Sequence, residues 1–98
     1  MRSDVLTGLP NRYHFNEALP QALSRARRSM AGLALMYLDI DHFKSINDSL
    51  GHAAGDEVLK AFAKRLQHSV RATDTVARLG GDEFVMILEG VNSADEPQ

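Results

Sequence analysis

The chain contains no cysteine. That excludes a disulfide-stapled secreted scaffold, a thiolate nucleophile and a cysteine zinc site, and it makes the reducing cytoplasm the expected compartment. Net charge of one sign is also missing, since 11 Lys and Arg against 13 Asp and Glu leave −2 with histidine neutral. Such a balance offers no general attraction to DNA, RNA or an anionic membrane. No segment approaches the ~20 apolar residues of a membrane span, and residues 1–8 lack the apolar stretch of a signal peptide. Neither nucleic acid nor direct membrane contact is therefore expected. There is no internal repeat and no low-complexity tract. His14, His42, His52 and His68 show no metal-ligand spacing, and no serine sits in a nucleophile-elbow sequence. What is present, 98 residues with 44% hydrophobic and 24% charged content, is the composition of one small folded domain.

Apolar spacing divides the chain into elements. Gly8, Pro10 and Asn11 read as a turn with Asn11 as N-cap. Phe15, Ala18, Leu19, Ala22, Leu23 and Ala26 then follow at helical steps over 13–28. Pro20 is expected to kink or restart that helix. Arg25, Arg27 and Arg28 at its end read as a solvated basic face that complements the helix dipole. Leu33 to Ile40 is a near-continuous apolar run of strand length, as for a central strand covered on both faces. Phe43 to Leu50 predicts a short helix, Gly51 to Gly55 a break, and Asp56 the start of a second long helix burying Val58, Leu59, Phe62, Ala63, Leu66 and Val70. Residues 75–79 and 84–88 read as a hairpin around Gly80-Gly81. Residues 90–98 read as a frayed tail. This order predicts an α/β fold with helices packed on a sheet.

Two strand ends carry acids: Asp39-Ile40-Asp41 and Asp82-Glu83. Unpaired carboxylates there are costly without a cation or a donor. A single aspartate at such a place reads best as a cap or surface turn, but two acidic pairs beside a di-glycine turn favour a metal. Magnesium takes one or two carboxylates and leaves room for water and phosphate, which suits phosphoryl transfer. Gly80-Gly81 serves equally a tight turn or the close approach of a nucleotide. An EF-hand is excluded, because its sixth position is Lys44 and its twelfth is Leu50.

The segment Gly80-Gly81-Asp82-Glu83-Phe84 resembles the signature of the GGDEF, or diguanylate cyclase, family. Residues 4–12 are similar to that family's opening motif, 39–48 to its metal and phosphate segment, and 51–56 to its guanine-side loop. Arg71-Ala72-Thr73-Asp74 is similar to its inhibitory-site motif. The match spans about 4–89. The resemblance implies an α+β sandwich related to nucleotidyl cyclase and palm-type folds, with helices on an antiparallel-containing central sheet. Family domains continue past the hairpin, so it also implies that this chain is the N-terminal portion, with one face of the hairpin layer uncovered. The implied activity is condensation of two GTP into cyclic di-GMP with release of pyrophosphate, by a homodimer using magnesium or, in its place, manganese. The implied site residues are Asp39, the Ile40 carbonyl and Asp82 for metal, and Asp82, with Glu83 as alternate, for proton removal. Lys44 and the backbone at His42 and Phe43 would hold phosphate, Asn47 and Asp56 would read guanine, and Gly80 and Gly81 would line the substrate. Arg71 and Asp74 would bind product as inhibitor. The alternative is an inactive module that binds GTP or cyclic di-GMP. A sensory or receiver domain upstream is the implied regulatory partner.

Overall fold

Asn11 caps the first helix as its position predicts: its backbone is extended and its side-chain oxygen accepts the His14 N–H at 3.0 Å. The computed structural model describes residues 2–91. Over them the order is α1 (Arg12–Ser29), β1 (Gly32–Asp39), α2 (Phe43–Leu50), α3 (His52–Ser69), β2 (Thr75–Gly80) and β3 (Glu83–Val91). Pro20 neither breaks nor restarts α1. It lies on an exposed face, where the carbonyl one turn back can turn to water.

The three strands form an antiparallel sheet in the order β1-β3-β2. β1 and β2 therefore run parallel with β3 between them, and the pair α2–α3 is the crossover that joins them. The residues of β3 alternate between two cores. Phe84 and Met86 pack with Val76, Leu9 and the α3 stripe Leu59, Ala63 and Leu66. Val85 and Ile87 pack with Ala77 and with Phe15 and Ala22 of α1. The sheet thus sits between α1 on one face and α3 on the other, and the Phe62 and Phe84 rings meet at 5.0 Å between centroids.

Four expectations are corrected. Among the described residues the Leu33–Ile40 run is not the central strand; β1 is an edge, with Leu35, Met36 and Tyr37 exposed, Tyr37 at 65%. The central place belongs to β3, whose Phe84–Ile87 are buried on both faces, so the hairpin layer is covered and the exposed large apolar side chains of the sheet lie on β1 instead. The long helix begins at His52, four residues before Asp56, because Gly51 at φ 91° turns the chain and Gly55 is taken into the first turns of α3. Finally, β3 runs through Gly90 to Val91, so those two residues belong to the sheet; the rest of the expected tail lies outside the described residues.

Candidate functional site

The signature segment forms the β2–β3 turn. Gly80 at φ 144° and Gly81 at φ 50° have backbone conformations that a side chain would strain, so the di-glycine is required by the turn itself. Asp82 follows, half-buried, and Glu83 begins β3. In the β1–β3 register Leu38 faces Phe84 and Asp39 faces Glu83. The two acidic strand ends therefore meet at one end of the sheet, as the sequence suggested. None of Asp39, Asp82 and Glu83 has a cationic partner among the described residues. Nor do three acidic, histidine or cysteine side chains gather there closely enough to cage a metal by themselves. That donor set fits magnesium shared with water and substrate phosphate, and it does not fit a closed structural site.

Beside the carboxylates the chain turns through Asp41 and His42 into α2. His42 is left-handed at φ 59°, and its ring lies 3.5 Å from the Asp41 carboxylate. The Ile40 carbonyl already accepts the Phe43 N–H, at a long 3.3 Å, which leaves it one lone pair for a cation. No side chain caps α2 and no acid sits in its first turn, so its N-terminus is open to an anion. Lys44, in that first turn, is exposed and reaches Asp48 at 3.3 Å, a surface pair that screening makes weak. A phosphate could draw it away at small cost.

Asn47 closes the other side of the corner. Its backbone carbonyl accepts the Gly51 N–H at 2.9 Å, and its side chain lies directly on Gly55. A Cβ at Gly55 would fall 1.8 Å from Asn47 Oδ1 and 3.4 Å from the Phe43 ring. Glycine is therefore what allows α2 and α3 to approach with Asn47 between them. Asp56, the next residue, is exposed on the same corner. Gly55→Ala is expected to push the Asn47 side chain from this position at a cost of about 1–3 kcal/mol in stability. Thermal denaturation would read the loss, and the Asn47 side-chain amide resonances would move.

The remaining predicted pair lies at the opposite end of the hairpin. Asp74, its side chain 3% exposed, accepts from the Arg71 backbone N–H at 2.9 Å, from the Arg71 guanidinium at 3.2 Å and from the Glu89 N–H at 3.2 Å. Arg71 also donates to the Glu89 carbonyl, and Arg25 grips the Glu89 carboxylate in two bonds of 2.9 and 2.8 Å. These residues, with Arg28, line an open cavity of about 840 Å³. The basic end of α1 is thus only partly a solvated face, because Arg25 and Arg28 turn to this cavity. Helical position alone could not show that.

Besides the exposed Glu17, which the Arg2 guanidinium holds low, three carboxyls are held below their ordinary range. For Asp4 and Asp74 burial pushes the value up, but donors outweigh it: Thr7 and Arg78 for Asp4, Arg71 and the Glu89 N–H for Asp74. For Glu89 the Arg25 guanidinium leads, against burial. Carboxyls with lowered folded values take up protons on unfolding, so their contribution is full above the unfolded value near pH ~4 and is lost as pH falls through the folded values. These three groups should therefore leave the melting temperature unchanged between pH 7 and 5 and lower it below pH ~4. Asp4→Asn should flatten part of that acid limb in a calorimetric series.

Sequence reasoning missed Arg78. Its guanidinium bonds both Asp4 and the Gly81 carbonyl. The one available signal was an arginine two residues before the di-glycine turn. Among the described residues no helix is long and apolar enough to cross a membrane.

Comparison with known proteins agrees with the geometry. The family model described as "Diguanylate cyclase, GGDEF domain" matches residues 1–98. The diguanylate cyclase DgcS of Shewanella oneidensis is 46% identical over 87 residues, covering 89% of this chain and 29% of its own length. Among solved structures, a sensory box/GGDEF family protein from Caulobacter crescentus superposes with a TM-score of 0.92 at 43% identity, covering 95% of this chain and 60% of its own. The GGDEF domain of DgcB from Caulobacter crescentus, solved in complex with c-di-GMP, superposes with a TM-score of 0.89 at 36% identity, covering 95% and 53%. The chain thus spans under a third of that curated relative and little more than half of these solved chains.

Proposed function

Because this chain belongs to the GGDEF, or diguanylate cyclase, family, we propose that it supplies the nucleotide and metal half-site of a diguanylate cyclase. The reaction condenses two GTP into cyclic di-GMP, each copy of a homodimer presenting one GTP. The observation that carries this reading is the β1–β3 register, which sets Asp39 against Glu83 beside Asp82 and next to the open N-terminus of α2.

Asp39, Asp82 and the free lone pair of the Ile40 carbonyl would hold magnesium, with manganese as a substitute. The bound cation would supply charge neutralisation at the triphosphate and polarise the α-phosphorus. The chain's own residues do the rest. The helix terminus at His42 and Phe43, together with Lys44, holds phosphate oxygens. Gly80 and Gly81, bare of side chains, let the nucleotide approach the turn closely. Asn47 both donates to and accepts from guanine, and Asp56 accepts from its N1 and N2 hydrogens. As the 3′-oxygen of one GTP attacks the α-phosphorus of the other, its proton passes to Asp82, with Glu83 as the alternate acceptor, and pyrophosphate leaves. At the other end of the hairpin, Arg71 and Asp74 would hold the product, the arginine at phosphate and guanine edges and the aspartate at guanine N–H groups, to give feedback.

The test is incubation of the purified chain with GTP and magnesium, followed by chromatography. Cyclic di-GMP and pyrophosphate in a 1:2 ratio support the cyclase reading. GTP bound but unconverted points to the binding module, and GTP neither bound nor converted overturns both.

A further inference from the structure

Arg78 lies on β2 with its side chain only 14% exposed, and its donors are committed in two directions. Nε and Nη2 both donate to the Gly81 carbonyl, at 3.0 and 2.8 Å. Nη1 donates to both oxygens of Asp4, at 2.9 and 3.1 Å. Asp4 is fixed in turn, for its Oδ2 accepts the Thr7 N–H at 2.8 Å and the Thr7 hydroxyl at 2.7 Å, and its own N–H donates to the Leu9 carbonyl at 2.7 Å. The Arg78 backbone N–H closes the circuit on the Pro10 carbonyl at 2.9 Å.

The Gly81 carbonyl belongs to the peptide unit whose nitrogen is that of Asp82. A peptide unit is planar, so two donors on its oxygen also fix the direction of its N–H and the exit of the Asp82 Cα. Gly81 has no side chain to oppose rotation, and a glycine at φ 50° is free to leave that conformation unless something holds it. Arg78 is placed to hold it, and a planar guanidinium, with five donors in a rigid fork, can clamp a carbonyl and a carboxylate at the same time in fixed geometry.

We infer that Arg78 is a positioning residue for Asp82, that Asp4 holds Arg78 in this pose, and that the N-terminal turn is thereby coupled to the carboxylate end of the sheet. The inference rests on the metal role proposed for Asp82, yet its first readout is independent of that role. In the ligand-free chain, Arg78→Lys keeps the charge but loses the clamp. It should shift the Gly81 and Asp82 amide resonances and speed hydrogen exchange over 80–83 at least tenfold, while the resonances of the Asp74–Glu89 end stay in place. Asp4→Asn, the milder change, should move the same amides in the same direction by less. In the double variant the two effects should not add. Titration with Mg·GTP should then show about tenfold weaker binding for Arg78→Lys.

A loss of melting temperature with the Asp82 amide unmoved in both single variants would overturn the inference and leave Arg78 a structural staple. If the unmodified chain binds no Mg·GTP, the proposed function fails, and the ligand-free amides still decide the positioning role.

Discussion

Asp82→Ala is expected to reduce the metal-dependent conversion of GTP by about 10³-fold or more while leaving the fold intact. The size follows from what is removed. A cation at a transferring phosphoryl group is worth several kcal/mol of transition-state stabilisation, and each 1.36 kcal/mol is tenfold in rate. The intact fold follows from where the residue sits. Asp82 occupies the turn, its φ is not positive, and among the described residues no hydrogen bond or ion pair holds its side chain, so alanine can take its backbone without strain. Stability should change by no more than about 0.5 kcal/mol, as for a substitution that removes no packing. Parallel measurement of product formation and thermal midpoint separates the two effects. Unchanged turnover would remove Asp82 from the metal site.

The neighbouring signature residue should behave in the opposite way. Phe84→Ala is expected to cost about 3–5 kcal/mol of stability, enough to leave a small domain substantially unfolded. Phe84 is 0% exposed, packs on Leu59, Ala63 and Met86, and tilts against the Phe62 ring. It lies on the central strand, flanked by Leu38 of β1 and Arg78 of β2, so the space left behind is enclosed on both sides. Urea denaturation of Phe84→Ala beside Phe84→Leu would read the effect, with leucine recovering most of the loss. Nearly equal midpoints for alanine and the parent chain would contradict the assignment of this strand to the core. Within one five-residue signature, then, the glycines serve the turn, the acids face the site and the aromatic anchors the sheet beneath them.

How legible this was in the sequence depended on the range of each interaction. Local signals read well. Asn11 caps α1, the Leu59-Ala63-Leu66 stripe faces the sheet, and the runs 75–79 and 84–88 pair as a hairpin. The meeting of Asp39 with the Asp82-Glu83 turn was also accessible, because acids at the ends of apolar strands can be brought together by pairing alone. Strand order was not accessible. The Leu33–Leu38 and Phe84–Leu88 runs are equally apolar, and only long-range pairing decides that the second is enclosed and the first is an edge. The start of α3 was misread because glycines that look like a break are, at Gly51, a corner and, at Gly55, the clearance for Asn47. Arg78 was invisible for a similar reason, since its partner Asp4 lies 74 residues away and its other acceptor is a backbone carbonyl that carries no sequence signal.

The central claim is that the carboxylate end of the sheet and the open end of α2 form one metal–nucleotide site, separate from the arginine-lined cavity at the other end. Paramagnetic broadening of the amide spectrum by manganese in the presence of GTP tests it most directly. The account predicts selective loss of the Asp39, Ile40, Asp82 and Glu83 signals and of the first turn of α2, with Arg71 to Asp74 still sharp. Broadening centred on other acidic residues, or spread evenly over the surface, would contradict it.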